Sequence, residues 1–439
     1  MDKRRQRNHK VLLTIAALSS ALCACEGLKV LVGTARESVH LNVCMGADTD
    51  CEPELDTEPL IMPEPRSCEA ALGPELTPDF VIDFSELMCA DQPNACMGTP
   101  RDLAAAADGT TWVIFFAEDT GDGSSATSLV RISAEGELLG VIDAMHGMIA
   151  PPDHSVRQET AMAMDERGHV FVLIYEMDAG PNADSPLVER SWLTEYDADG
   201  EIANGPRLIT GIGAPKLSIA ADGTLVIGAN GEQNARYGVL AAFDTEGELL
   251  WSQNGVRTNG QGIGYGVTGL ATTAYGSFVM AERSRRSGGN VLEYGLMRYD
   301  ADGNAIWDRM LEPLYMSATL VGTGDHLLFV VTTQDFVGNT PTSHWMGRID
   351  ENGEVDWLYD LPNHVVGGVA IDVERNVALT GGIGRPGESG LMEISLDGER
   401  CARHALPEGV LIGILATDGA GGVHLMSDVS LARVRLPEE

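Results

Sequence analysis

The residues in this chain that could do chemistry fall into a few small groups, each with a definite reading. Asp119 and Asp122 lie in the glycine-rich stretch Ala117 to Ser128, where two carboxylates can hold a calcium or other divalent ion. His146 and His154 share the stretch Val141 to Glu159 with Asp153 and Glu159, a set suited to a metal or to acid–base work beside a channel. Arg283, Arg285 and Arg286 form a basic cluster in an acidic chain. Guanidinium groups bind carboxylate and phosphate through paired hydrogen bonds, so this cluster suits an anionic ligand or an acidic partner. Each group also has a plainer reading as part of a solvated loop.

Stronger catalytic signatures fail. The chain holds no HExxH, and no GxSxG where a nucleophile elbow would form. Gly264, Gly266 and Gly269 spell GxGxxG, yet no helical pattern follows, so no helix terminus would face a phosphate. The repeated DADG at Asp197 to Gly200 and Asp300 to Gly303 places its glycine too early for a calcium loop, and no Glu closes a loop of about twelve residues. No catalytic residue and no cofactor is therefore predicted beyond a calcium or other divalent ion.

The elements that position these residues are repeats. The phrase FDTEGELLW, Phe243 to Trp251, returns with variations at Arg131, Glu195, Arg298, Arg348 and Glu393. In each copy an apolar residue enters a turn of Asp, Glu or Asn beside Gly, and a strand follows, which reads as a hairpin. A second series alternates with the first, with turn markers Gly109, Gly168, Gly223, Gly276, Asp325, Asn376 and Gly421, spaced about 52 residues apart on average. Seven such units predict an all-β, seven-bladed β-propeller of four-stranded antiparallel blades over residues 78–439. The last unit ends one strand short, at Val429 to Leu436. The alternating stretch Pro78 to Leu87 lacks a mate of its own and is expected to complete that blade, closing the ring and covering strand edges. With strands A and B of each blade drawn from the second series and C and D from the first, the A–B and C–D turns are short and share one face. The B–C and D–A connections read as long and share the other, so function is expected on the long-loop face and at its channel mouth.

Upstream of the propeller, residues 1–24 read as an export signal. Lys3, Arg4, Arg5, Arg7 and Lys10 precede an apolar run, Val11 to Leu22, that is too short to span a bilayer. Leu22 to Cys25 (LCAC) then resembles the bacterial lipobox. The resemblance implies cleavage after Ala24 and a lipid on Cys25, the remaining alternative being an ordinary secretory signal. Glu26 stands where many inner-membrane lipoproteins carry Asp, which implies an exported chain lipid-anchored in the cell envelope at the outer membrane. Residues 25–77, rich in Glu, Asp and Pro, are expected to be an extended tether that bears the propeller away from the membrane.

Six further cysteines, Cys44, Cys51, Cys68, Cys89, Cys96 and Cys401, make an even number in an exported chain and read as disulfide candidates. Five precede the first blade and one lies in the sixth, so at least one bridge is expected to tie the N-terminal segment to the propeller or to a partner chain. No CxxC pair supports zinc.

The hairpin endings ELLW, NAIW and EVDW resemble the repeats of the pyrroloquinoline-quinone-like (PQQ-like) propeller superfamily. The resemblance is carried by Asp244, Gly247 and Trp251, by Asp300, Gly303 and Trp307, and by Asp350, Gly353 and Trp357. It implies the architecture, with Asp and Gly forming the turn and Trp packing between blades. That superfamily includes quinoprotein dehydrogenases and a non-enzymatic outer-membrane lipoprotein that assists barrel assembly. Its members usually have eight blades, and this chain shows no constellation for the quinone.

Net charge narrows the partners. The chain carries −36, which becomes −40 once residues 1–24 are set aside. Such an excess disfavours nucleic acid and anionic bilayer surfaces. The expectation is a monomeric binding or scaffolding module for an envelope protein, peptide or glycan. The alternative is a metal-dependent hydrolase or lactonase-like enzyme at the channel mouth.

Overall fold

Strand-forming runs and short turns alternate through the repeats, and the computed structural model shows what they build. It describes residues 38–40, 57–68, 70, 72–84, 98–117, 124–149, 156–178, 188–210, 212–231, 237–257, 267–285, 292–311, 315–333, 343–361, 365–383, 390–407, 410 and 412–437. They form seven antiparallel blades in a ring, each built from an inner strand A outward to strand D. Blade 1 comprises Thr99–Ala105, Thr111–Ala117, Ser124–Ile132 and Leu138–Ile149. Blades 2 to 6 repeat this plan and end in outer strands Ile202–Thr210, Leu249–Arg257, Ala305–Met310, Val355–Asp360 and Cys401–Ala405. Blade 7 has Ile414–Thr417, Gly422–Met426 and Ser430–Arg435, and its fourth strand is Pro78–Asp83. The ring closes as the unpaired stretch led us to expect.

Turn chemistry sets the hairpins. In Asp300 to Asn304 the Asp300 carboxylate accepts the N–H groups of Asp302 (3.0 Å) and Asn304 (2.8 Å), while Gly303 N–H returns to the Asp300 carbonyl. Gly303 takes φ 82°, a left-handed conformation that favours glycine. Asp197 and Asp350 cap their turns in the same way. The carboxylate oxygen that a calcium loop would offer to a cation is here spent on backbone N–H groups.

Packing runs between blades. Trp112, Ile114 and Leu129 of blade 1 interlock with Val170, Val172 and Ile174 of blade 2, and comparable clusters fill the other interfaces. At the outer rim each Trp of the repeated phrase docks on the next blade's turn. Trp251 donates to Ala301 O (2.7 Å), Trp307 to Glu351 O (2.9 Å) and Trp357 to Leu396 O (3.0 Å). The ring faces lie against Gly303, Gly353 and Gly398, and a Cβ on Gly303 would sit 2.6 Å from Trp251. Between blades 2 and 3, Arg207 replaces Trp and donates to the carbonyls of Glu246 and Gly247.

The acidic N-terminal segment, expected to be a tether, lies on the propeller wherever it is described. Thr57–Pro59, Arg66–Ser67 and Leu72–Glu75 add as parallel fifth strands to the outer edges of blades 4, 5 and 6. Ser38–His40 pairs in the same way with blade 2. Low hydrophobicity limits core burial, but a strand edge needs only backbone to pair with. Two apolar residues pin the segment: Leu60 in the cluster of blades 4 and 5, and Leu76 in that of blades 6 and 7. Cys68 forms a disulfide with Cys401 at a Cα–Cα distance of 5.8 Å, joining segment to blade 6. One bridge therefore runs from the N-terminal segment to the propeller.

Candidate functional site

Strand bounds distinguish the two faces of the ring. Every A–B and C–D turn spans two to five residues, whereas connections on the opposite face run from one residue to fifteen. The variable face is less loop-like than the sequence implied. Val141 to Glu159, read as a connection, is mostly strand, with only residues 150–155 between Leu138–Ile149 and Val156–Met164. Its β-branched and alternating apolar residues extend the ladder past the point where the repeat pattern fades.

Three of the candidates lie on strands. His146 lies on the outer strand of blade 1 opposite Ala126, at the rim of the ring instead of beside the channel. Arg283 and Arg285 lie at the end of the second strand of blade 4, Gly276–Arg285, with Arg285 opposite Leu292. Blades 1 and 4 stand across the ring from one another, so His146 and the arginines do not share a site. Asp119, Asp122, His154, Arg286, Cys25, Cys44, Cys51, Cys89 and Cys96 lie outside the described residues. Among the described residues no group of three or more His, Cys, Asp or Glu is placed to hold a metal ion.

The tight-turn face is indented at the inner ends of the blades. A cavity of about 620 Å³ opens among the A–B turns of blades 2 to 6, lined by Asp165, Arg167, Asp222, Thr272, Thr273 and Thr323. The turns of this face carry twenty-two Asp and Glu against three Arg. Much of the chain's net charge is thus turn chemistry gathered on one side of the ring. Asp165 illustrates it: its carboxylate caps Arg167 and His169 N–H and also pairs with the Arg167 guanidinium.

Within the innermost strands, Asp102 of blade 1 is the titratable group with the clearest functional potential. Its oxygens accept Leu103 N–H and, across the blade interface, Met162 N–H, both at 2.9 Å. Removal from water pushes its pKa up to about 6, against those two N–H groups and the charge of Lys216. Such a carboxyl can exchange a proton near neutral pH. The sequence reading missed it because nothing local marks Asp102; its environment is made by blades 2 and 3.

Also missed was a buried network at the ring closure. Arg433 donates through Nε (3.0 Å) and Nη2 (2.5 Å) to Asp418 and through Nη1 (2.6 Å) to Asp79 on the closing strand. His424 is fully buried, bridging Asp418 through Nε2 (3.3 Å) and the Thr111 hydroxyl through Nδ1 (2.8 Å). Burial would raise the Asp418 pKa, but hydrogen bonds from His424, Arg433 and two backbone N–H groups outweigh it and hold the carboxyl well below the usual range. Burial lowers that of His424, so the neutral ring donates to Asp418 and accepts from Thr111. These partners are 313 and 354 residues apart in the pairs that cross the closure, beyond any motif.

No protein-family model matches the chain, and no curated protein sequence does. Among solved structures it is similar to the β-propeller domain of the Trilobed protease from Pyrococcus furiosus, whose topology is described as open velcro. Identity is 11%, coverage 77% of this chain and 93% of that one, and the TM-score 0.46. It is also similar to the Dos1 propeller (10% identity, 83% and 96% coverage, TM-score 0.45) and to streptogramin B lyase (13%, 82% and 98%, 0.43). At these identities the likeness is one of fold alone.

Proposed function

We propose that this chain is an exported lipoprotein, cut after Ala24 and lipid-anchored through Cys25 in the cell envelope, whose propeller is a binding or scaffolding module. It uses the variable-connection face for an envelope protein, peptide or glycan. The observation that carries the reading is the contrast between the faces. Thirteen tight turns satisfy one face internally, while the other joins the same rigid blades by connections of unequal length. Kinship with PQQ-like propellers belongs to this proposal and is supported by the Trp-on-Gly docking of blades 3 to 6. Photo-crosslinking in cells tests it, with probes at Asp178 and Arg285 on the variable face and at Asp222 and Asp302 on the tight-turn face. Defined adducts from the first pair alone are expected. Adducts from the second pair alone would move the binding face to the other mouth, and none from either would end the proposal.

A second reading, a metal-dependent hydrolase or lactonase-like enzyme, draws on Asp102 and its raised pKa in the channel wall. A divalent ion retained stoichiometrically by the purified protein, together with ester or lactone hydrolysis lost in Asp102→Asn, would favour it.

A further inference from the structure

The N-terminal segment and the closing strand are held by different means, although they are continuous in sequence. Pro78–Asp83 pairs antiparallel with Ser430–Arg435. Its Phe80, Ile82 and neighbouring Phe84 pack into the core shared with blade 1, and Asp79 meets the buried Arg433. The preceding strands are three, two and four residues long, parallel, and mostly exposed. Parallel pairing is slightly the weaker kind per residue. Their ion pairs, Glu58 with Arg309 and Arg66 with Glu399, leave Glu58, Arg66 and Glu399 largely in water, where such pairs add little. Between the anchors Leu60 and Leu76, Met62 packs on the blade 4–5 cluster and Arg66 Nη1 donates to Gly398 O (2.5 Å), but the one covalent tie among the described residues is Cys68–Cys401, and both cysteines are partly accessible.

We infer that Cys68–Cys401 is the latch of a strap over the outer edges of blades 4, 5 and 6, opened by reduction independently of the ring closure. A dithiol reductant supplies two electrons and two protons, the S–S bond becomes two thiols, and the dithiol is itself oxidised to a disulfide. Release of the strap uncovers the edges of Ala305–Met310, Val355–Asp360 and Cys401–Ala405. Uncovered strand edges accept added strands, so the latch makes those edges redox-dependent.

Hydrogen exchange read by mass spectrometry on the full chain tests this with the variant Cys68→Ala/Cys401→Ala. Amides of residues 57–75 and of the three outer strands should exchange at least about tenfold faster, with Pro78–Asp83 and Ser430–Arg435 unchanged. Unchanged protection of the strap would overturn the proposal, as would loosening of the closing strand together with it. Folded wild type under mild dithiol, with Cys68 labelling followed in the same samples, gives the same comparison should the variant fail to fold. Exchange in 57–75 that does not rise as Cys68 becomes labelled also overturns it.

Discussion

His424 and Asp418 show how one buried pair can make a ring sensitive to acid. His424 has its pKa lowered by burial from an ordinary 6.5, so the folded state holds the neutral ring and the unfolded chain binds protons more readily. Stability from this residue is full above pH 6.5 and is lost as pH falls below it. Asp418 has a depressed pKa as well, so its contribution is full above 3.8 and drains away at lower pH. Acid unfolding followed by circular dichroism should thus begin below pH 6.5 and steepen below 3.8. Asp418→Asn leaves Arg433 without its main counter-charge in a buried site, and chemical denaturation should show a loss of about 3–5 kcal/mol. Asp102 has the opposite sign. Its raised pKa means the folded state keeps the proton longer, so its contribution falls as pH rises from 3.8 to about 6. Asp102→Asn should gain melting temperature relative to wild type as pH rises through that window, and a gap that stays flat would refute the assignment.

At the scale of elements, the docking of Trp on the next blade's turn was half visible in the sequence. The phrase Asp-x-x-Gly-x-x-x-Trp announced the turn and an aromatic between blades. That the aromatic reaches Gly303, Gly353 or Gly398 of the next blade is set by the blade stagger, which no single repeat encodes. Trp357, 2% exposed, is the most deeply buried of the three. Trp357→Ala should cost about 3–5 kcal/mol in denaturant unfolding. Gly303→Ala meets both a positive φ and the Trp251 ring, so it should cost more than about 1 kcal/mol. Arg207 was harder to foresee because it performs the same docking with a different side chain. Site chemistry is less local. Turn and strand patterns are local, so blade number and the closing strand could be read, but Asp102 and His424 acquire their character from neighbours far along the chain.

At the scale of the molecule, charge is unevenly placed. Twenty-two carboxylates on the tight-turn face repel one another, and screening should relieve part of that cost. Melting temperature should climb between about 0.01 M and about 1 M salt, as the Debye length shrinks from about 30 Å to about 3 Å. A fall would show that the caps and ion pairs on that face matter more than its repulsion. Composition alone revealed the acidity but not its address, since the same residues read as tether, loop or turn until the ring arranges them. The strap has a mechanical side too. Tension applied at the N-terminus would run along the outer wall from blade to blade and reach Cys68 before it reaches Pro78. The bond to Cys401 diverts that tension into blade 6, which the rest of the ring supports. Pulled from its N-terminus, the molecule would meet the force at a covalent cleat, and the closing strand just downstream would stay slack.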